Sequence, residues 1–170
     1  MFKPTKHLGQ NFLTSKKVAE DIVNAADIGP TDTVLEVGPG KGILTELLLK
    51  KAKKVIAVEK DERLVKFLET KIPALSVVHG DILKFPKGVS LRTPKETPLG
   101  IADGGYKIVA NIPYYITSRF LRKFLSADPP GDGQPSLMVL MVQKEVAERI
   151  IGKDGKESLL SISVKAYGKP

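Results

Sequence analysis

The sequence predicts an α/β fold built on a mainly parallel sheet with helices on both faces. Three observations carry that prediction. Short runs rich in Val, Ile and Leu alternate with amphipathic helical stretches along most of the chain. The runs are continuously apolar rather than alternating, as strands covered on both faces are. The first run ends in Glu36-Val-Gly-Pro-Gly-Lys-Gly42, a glycine-rich turn that leads straight into a helical pattern.

The elements follow in order. The first fourteen residues are basic and irregular. A helix is expected over Lys16–Ala26, capped by Ser15 or Thr14, with Val18, Ile22 and Ala25 on its apolar face and Gly29-Pro30 ending it. Thr33–Val37 reads as a strand. Ile43–Lys51 reads as a helix with Leu44, Leu47 and Leu48 inward, and Lys53–Glu59 as a β-branched strand. A helix over Glu62–Thr70 buries Leu64, Val65 and Leu68, and Leu75–His79 is the third strand. Ile108–Ala110 and Leu137–Val142 are further strands, and Ser118–Ser126 and Lys144–Ile150 further helices. Ser158–Tyr167 fits both periods, since Leu160, Ile162, Val164 and Ala166 alternate while Leu159, Ile162 and Ala166 share a helical face. Pro86–Gly105 holds three Pro and four Gly without a period and is read as a loop insertion. The segment 128–135 is a second loop.

Composition excludes several classes of function. The chain has 170 residues and a formal net charge of +8, the length of a single domain with a real core. No apolar run approaches the ~18 residues of a membrane helix, and the first residues lack the apolar stretch of a signal peptide. The expectation is therefore a cytoplasmic, monomeric protein with no membrane partner. With no cysteine and two histidines, a disulfide scaffold, a thiol nucleophile and a zinc site are all disfavoured, and no metal is expected. The positive charge points to a polyanionic partner, nucleic acid first.

The cofactor signal lies at the strand tips. Gly38 and Gly40 let the backbone turn tightly and come close to a ligand. Residue 43 is Ile, so the strict G-x-G-x-x-G spacing of pyrophosphate-binding dinucleotide sites is broken, and no P-loop pattern occurs. Glu59, 21 residues after Gly38 and at the end of the second strand, is placed to accept from both hydroxyls of a ribose. Asp81, after the third strand, is placed to accept from an adenine amino group. Two acids at strand tips without a pyrophosphate loop fit an adenosine cofactor, S-adenosylmethionine best.

The chemistry signal is Asn111-Ile112-Pro113-Tyr114-Tyr115-Ile116, directly after the fourth strand. An amine on an aromatic ring is a poor nucleophile because its lone pair is delocalised. Two acceptors, the Asn111 side-chain oxygen and the Ile112 carbonyl, can hold its hydrogens and localise that lone pair toward a methyl sulfonium. Pro113 stiffens the turn, and Tyr114 can stack on the ring, as enzymes acting on an extruded base do. The transfer then needs positioning and electrostatics rather than a metal.

With these motifs in order, the chain resembles the ribosomal RNA adenine N6,N6-dimethyltransferases of the KsgA type. The matching pieces are Lys6-His7-Leu8-Gly9-Gln10-Asn11-Phe12-Leu13, Glu36–Gly42, Val58-Glu59, Gly80-Asp81, Asn111–Ile116 and Gln143-Lys-Glu-Val-Ala-Glu-Arg149. The resemblance implies a Rossmann-like class I methyltransferase. In it Asn11 and Leu13 touch S-adenosylmethionine from the N-terminal segment, Gly38 lies beside its methionine part, Glu59 holds the ribose and Asp81 the adenine. Asn111 would stand between cofactor and target amine, and Tyr114 would stack on the target adenine. The implied activity is transfer of methyl groups to N6 of adenines in small-subunit ribosomal RNA, with the small-subunit precursor as partner. The resemblance further implies a final strand pair, a proline-rich motif and a helical domain that do not occur here. The expectation is thus a catalytic domain over residues 1–170 that lacks them.

Lys6, Arg119 and Arg122 are the candidates for phosphate contact near the mouth of the site. The run Lys50, Lys51, Lys53 and Lys54 reads instead as a solvated helix end. His7 and His79 are not expected to be catalysts, and His79 shows no partner in the sequence. Two other readings stay open. One is a large-subunit RNA methyltransferase of the macrolide-resistance type, which shares N-I-P-Y. The other is a non-catalytic nucleic-acid-binding relative. The pair Leu8-Gly9 favours the small-subunit reading.

Overall fold

The computed structural model describes residues 10–85, 105–126 and 134–170. The Pro86–Gly105 insertion and the 128–135 loop lie almost wholly outside the described residues, as do Lys6 and His7.

Five strands form one parallel sheet: β1 (Thr33–Val37), β2 (Lys54–Glu59), β3 (Ser76–His79), β4 (Lys107–Asn111) and β5 (Leu137–Met141). Their spatial order is β3-β2-β1-β4-β5. Consecutive strands march outward from β1 to β3, and the chain then crosses back to lay β4 on the other side of β1. The register sets Glu36 beside Ala57 and Val109, and brings the ends of β1, β2 and β4 to one level. The crevice at such a reversal, outside the carboxyl ends of the strands, is where open α/β sheets bind ligands.

Side chains that alternate along each strand build two cores. Leu35, Val37, Ile56, Val58, Ile108 and Ala110 face one side, covered by Ile116, Phe120 and Phe124. Val34, Val55, Ala57 and Val109 face the other, covered by residues of α1 (Lys16–Ala25), α2 (Ile43–Leu48) and α3 (Glu62–Lys71). Helix α4 (Thr117–Leu125) supplies Phe120 and Phe124, whose rings lie 4.6 Å apart. The predicted arrangement, a parallel sheet with helices on both faces, is the one observed.

Four local readings are corrected or settled. The buried face of α1 is Ala19, Ile22 and Val23. Val18 is 38% exposed and Ala25 points outward. Small Ala19 lets the helix sit close to the sheet, and the apolar stripe turns with it. The ambiguous C-terminal segment is α6 (Leu159–Lys165), because Ser158 and Ser161 form a reciprocal capping box that fixes a helix start. It packs on α4 and on α5 (Lys144–Ile151). His79 does have a neighbour, its Nε2 lying 3.3 Å from the Lys60 carbonyl oxygen. Ser15, not Thr14, caps α1 by accepting from the Val18 N–H.

Candidate active site

At the carboxyl end of the sheet lies a cleft of about 990 Å³, its open mouth included. Its lining contains Asn11, Leu13, Gly38, Gly40, Glu59, Asp81, Asn111, Ile112 and Pro113. Residues named from five separate stretches of sequence thus converge on one site. The fold explains why, since each stretch follows the end of a strand or, for Asn11 and Leu13, crosses over those ends.

The floor is the turn after β1. Gly38 and Gly40 have φ of 69° and 59°, left-handed values that favour glycine. A Cβ on Gly40 would also stand 3.2 Å from the ring of Phe12, so the residue is small for two reasons. The Phe12 ring in turn carries the Lys41 ammonium 5.0 Å from its centroid.

Glu59 ends β2 and is 6% exposed. Its Oε1 accepts from the N–H groups of Lys60 (2.8 Å) and Asp61 (2.9 Å), and its Oε2 from that of Gly40 (3.2 Å). A carboxylate has about four lone-pair sites, so one on Oε2 stays open. Burial raises its pKa, against the three backbone donors that lower it. Asp81 follows β3. Its Oδ2 accepts from Lys60 Nζ at 2.9 Å and its Oδ1 from Leu83 N–H at 3.0 Å. Burial works to raise the Asp81 pKa, but the Lys60 ammonium and the Leu83 N–H outweigh it and hold the carboxyl below its ordinary value.

Asn111 ends β4. Its Nδ2 donates to the Asn11 carbonyl at 2.9 Å. A carbonyl only accepts, so the amide nitrogen is the atom that faces it, and the side-chain oxygen is left for another donor. Pro113 leads into a short 3-10 turn, Tyr114–Ile116. Tyr114 is 60% exposed and meets Tyr115 edge to face, with centroids 6.1 Å apart. Tyr115 lines the cleft wall, while Tyr114 stands outside it. Arg119 and Arg122 are exposed on α4; the Asp81 carboxylate raises the Lys60 pKa, against the opposing charge of Arg119.

Three site residues carry no role in the sequence reading. Glu36, quoted there only as part of the glycine motif, is 1% exposed, and its Oε2 has no hydrogen-bond partner. Desolvation pushes its carboxyl up to about 8, helped by the Glu59 charge and offset in part by the Thr45 hydroxyl. Gln10 and Asp61 are joined by a 2.9 Å bond across 51 residues of sequence. No local pattern announces such a pair.

The acceptor set fits an adenosine ligand. Open carboxylate sites on Glu59 and Asp81 suit a ribose hydroxyl and an exocyclic amine. The unpartnered oxygen of buried Glu36, which also lines the cleft, would take a hydrogen-bond donor rather than a phosphate. The glycine turn lets a ligand approach the backbone.

Such a sheet order, with a glycine turn after β1 and an acid closing β2, defines a Rossmann-like fold of the class I methyltransferase type. Within that class, the chain belongs to the ribosomal RNA adenine dimethylase family, whose model matches residues 1–168. It is 51% identical over 171 residues to the ribosomal RNA small subunit methyltransferase A of Dehalococcoides mccartyi strain CBDB1, covering 99% of this chain and 54% of that protein. The protein of the same name from Alkaliphilus metalliredigens is 38% identical over 174 residues, covering 99% and 57%. The chain therefore spans about half the length of the curated relatives it matches. Among solved structures, a dimethyladenosine transferase from Plasmodium falciparum superposes with a TM-score of 0.72 at 33% identity, covering 91% of this chain and 52% of that one. The 23S rRNA methyltransferase ErmE superposes with 0.70 at 31%, covering 89% and 56%. No helix among the described residues is long and apolar enough to cross a membrane.

Proposed function

We propose that this chain carries the methyl-transfer site of a small-subunit ribosomal RNA adenine N6,N6-dimethyltransferase that uses S-adenosylmethionine. The observation that carries the reading is the Asn111 amide, tied by its nitrogen to Asn11 and left with its oxygen to accept a hydrogen. When bound, S-adenosylmethionine supplies a methyl group on a cationic sulfur that is already a good leaving group.

The chain's own residues do the rest. Glu59 accepts one ribose hydroxyl at its open Oε2 site rather than both, because three backbone N–H groups take its other lone pairs, and Asp81 accepts from the adenine amine. Glu36 offers its unpartnered oxygen as an acceptor to an N–H of the amino-acid part. Asn11 and Leu13 cover the ligand from the N-terminal segment, and Gly38 and Gly40 give it room. The Asn111 oxygen and the Ile112 carbonyl accept the two hydrogens of the target amine and draw them out of the ring plane, which returns the lone pair to nitrogen. Pro113 fixes the turn that presents both acceptors. Tyr114, exposed at the mouth, stacks on the face of the target adenine. Exclusion of water and fixed acceptors account for the rate without proton transfer by a strong base. Arg119 and Arg122 meet phosphates beside the target, and Lys6 is assigned the same role.

Small-subunit rather than large-subunit RNA is favoured by the relatives at 50–51% identity, all named for the small subunit, against 31% for ErmE. The test is to supply labelled S-adenosylmethionine with either undermethylated small subunits or naked large-subunit RNA. Label on the small subunit, recovered as N6,N6-dimethyladenosine, is the expected result. Label only on large-subunit RNA overturns it. Calorimetry that gives no heat with S-adenosylmethionine from a folded sample would favour a non-catalytic binding protein.

A further inference from the structure

The residues Gln10–Leu13 run as a strap across the carboxyl ends of the central strands. The strap is held at three points. At the β2 end, Gln10 Nε2 donates to Asp61 Oδ2 at 2.9 Å. Over the β1 turn, the Phe12 ring sits on Gly40, with the Lys41 ammonium above it. At the β4 end, the Asn11 carbonyl takes the Asn111 amide. Leu13 then anchors the strap in the core that α1 covers.

Asp61 is built to be the fixed point of this arrangement. It is 6% exposed and caps α3 by accepting from Arg63 N–H. The Arg63 guanidinium grips both of its oxygens, Nε to Oδ1 at 2.9 Å and Nη2 to Oδ2 at 2.6 Å. Its own N–H binds Glu59 Oε1 at 2.9 Å. A carboxylate held this way has no rotameric freedom left, and Gln10 donates to it from one residue before Asn11. Adjacent residues of the strap thus touch the Asp61 hub and the acceptor of the target amine.

We propose that Asp61 and Gln10 are positioning residues. Through their hydrogen bond they hold the strap closed over the cofactor cleft, and through the Asn11 carbonyl they fix the Asn111 amide with its oxygen toward the target. This rests on the methyl-transfer reading of the cleft and adds to it a coupling between cofactor retention and acceptor alignment. A hydrogen bond to a charged acceptor is stronger than one between neutral groups, so losing this one loosens the strap measurably. Asp61 is a poor residue to change, because α3 loses its cap as well. Gln10 is the clean handle.

The experiment compares the wild-type chain with Gln10→Ala and Gln10→Lys. Dissociation of S-adenosylmethionine is followed by stopped flow, and solvent exchange of the Asn111 side-chain amide by NMR without cofactor. Gln10→Ala should release S-adenosylmethionine about tenfold faster and exchange the Asn111 amide several-fold faster, at an unchanged melting temperature. Gln10→Lys keeps a donor of similar reach and should restore both to within about threefold of wild type. Equal dissociation from wild type and Gln10→Ala, or equal impairment of Ala and Lys variants, would overturn the proposal. If the wild-type chain does not bind S-adenosylmethionine at all, the methyl-transfer reading fails. The exchange measurement then decides the strap by itself, with unchanged Asn111 exchange in Gln10→Ala refuting it.

Discussion

Replacing Glu36 by Gln is expected to change how stability depends on pH. Glu36 is buried in β1, and one of its oxygens has no partner. Its carboxyl is pushed from the ordinary 4.5 up to about 8, chiefly by desolvation. In the unfolded chain the group ionises above pH 4.5, whereas in the fold it keeps its proton until about pH 8. The native state therefore binds more protons across that window. Its stability falls as pH rises through the window and levels off above it. At about 1.4 kcal/mol per tenfold in proton affinity, the full displacement corresponds to at most about 5 kcal/mol, and burial elsewhere relaxed by water would leave a few kcal/mol. Gln has the same shape and does not titrate. Its buried amide can leave a donor unsatisfied at about 1–3 kcal/mol, but that offset is the same at every pH. Urea unfolding of both proteins at intervals from pH 5 to pH 9 reads the difference directly. The wild type should lose stability relative to Glu36→Gln between pH 5 and 8, by about 2 kcal/mol or more on this scale. Curves that run parallel within about 0.5 kcal/mol would show that Glu36 is ionised in the fold, and the desolvation argument would be wrong.

Other consequences are open to measurement. Asn111→Ala should abolish methyl transfer and weaken S-adenosylmethionine binding only modestly; lost affinity with normal turnover in labelled-methyl assays would contradict the acceptor role. Gly40→Ala forces a side chain into the left-handed region, at about 1–2 kcal/mol, and into the Phe12 ring, so calorimetry should show weaker cofactor binding with the fold retained. Phe120, fully buried against Phe124, should cost about 3–5 kcal/mol when cut to Ala, read as a lower urea midpoint at constant slope. Arg119→Ala and Arg122→Ala should each flatten the salt dependence of RNA binding by about one counterion, without altering cofactor affinity.

How much of this was legible in the sequence depends on the range of the interactions involved. Strand β1 begins where its apolar run begins, because burial on both faces leaves a continuous pattern, and β5 begins with its run too, although it is only half-buried at the sheet edge. The turn Glu36–Gly42 and the strand-tip residues Glu59, Asp81 and Asn111 were legible for a related reason, since in a parallel sheet every strand end points at one crevice. The face of α1 was misread because Ala19 is small, and a pattern that counts large apolar residues passes over it in favour of Val18. The fate of Ser158–Tyr167 was undecided by periodicity and was settled by a cap, a matter of two serine hydroxyls. Gln10, Asp61 and Glu36 could not be found locally. The first two meet across the cleft, and the third looks like any acid until the strands on either side bury it.

The tripeptide that closes β2 has a consequence for what changes this chain can tolerate. Glu59, Lys60 and Asp61 are consecutive, yet each is committed to a different neighbour: the Gly40 turn, the Asp81 carboxylate, and the Arg63–Gln10 pair. Alternation along the backbone sorts the three side chains, so their spacing works as a ruler with no slack. One residue inserted or deleted here would send each side chain toward its neighbour's partner and undo three connections at once. A change in length at this point is a change in the gauge of the whole cleft.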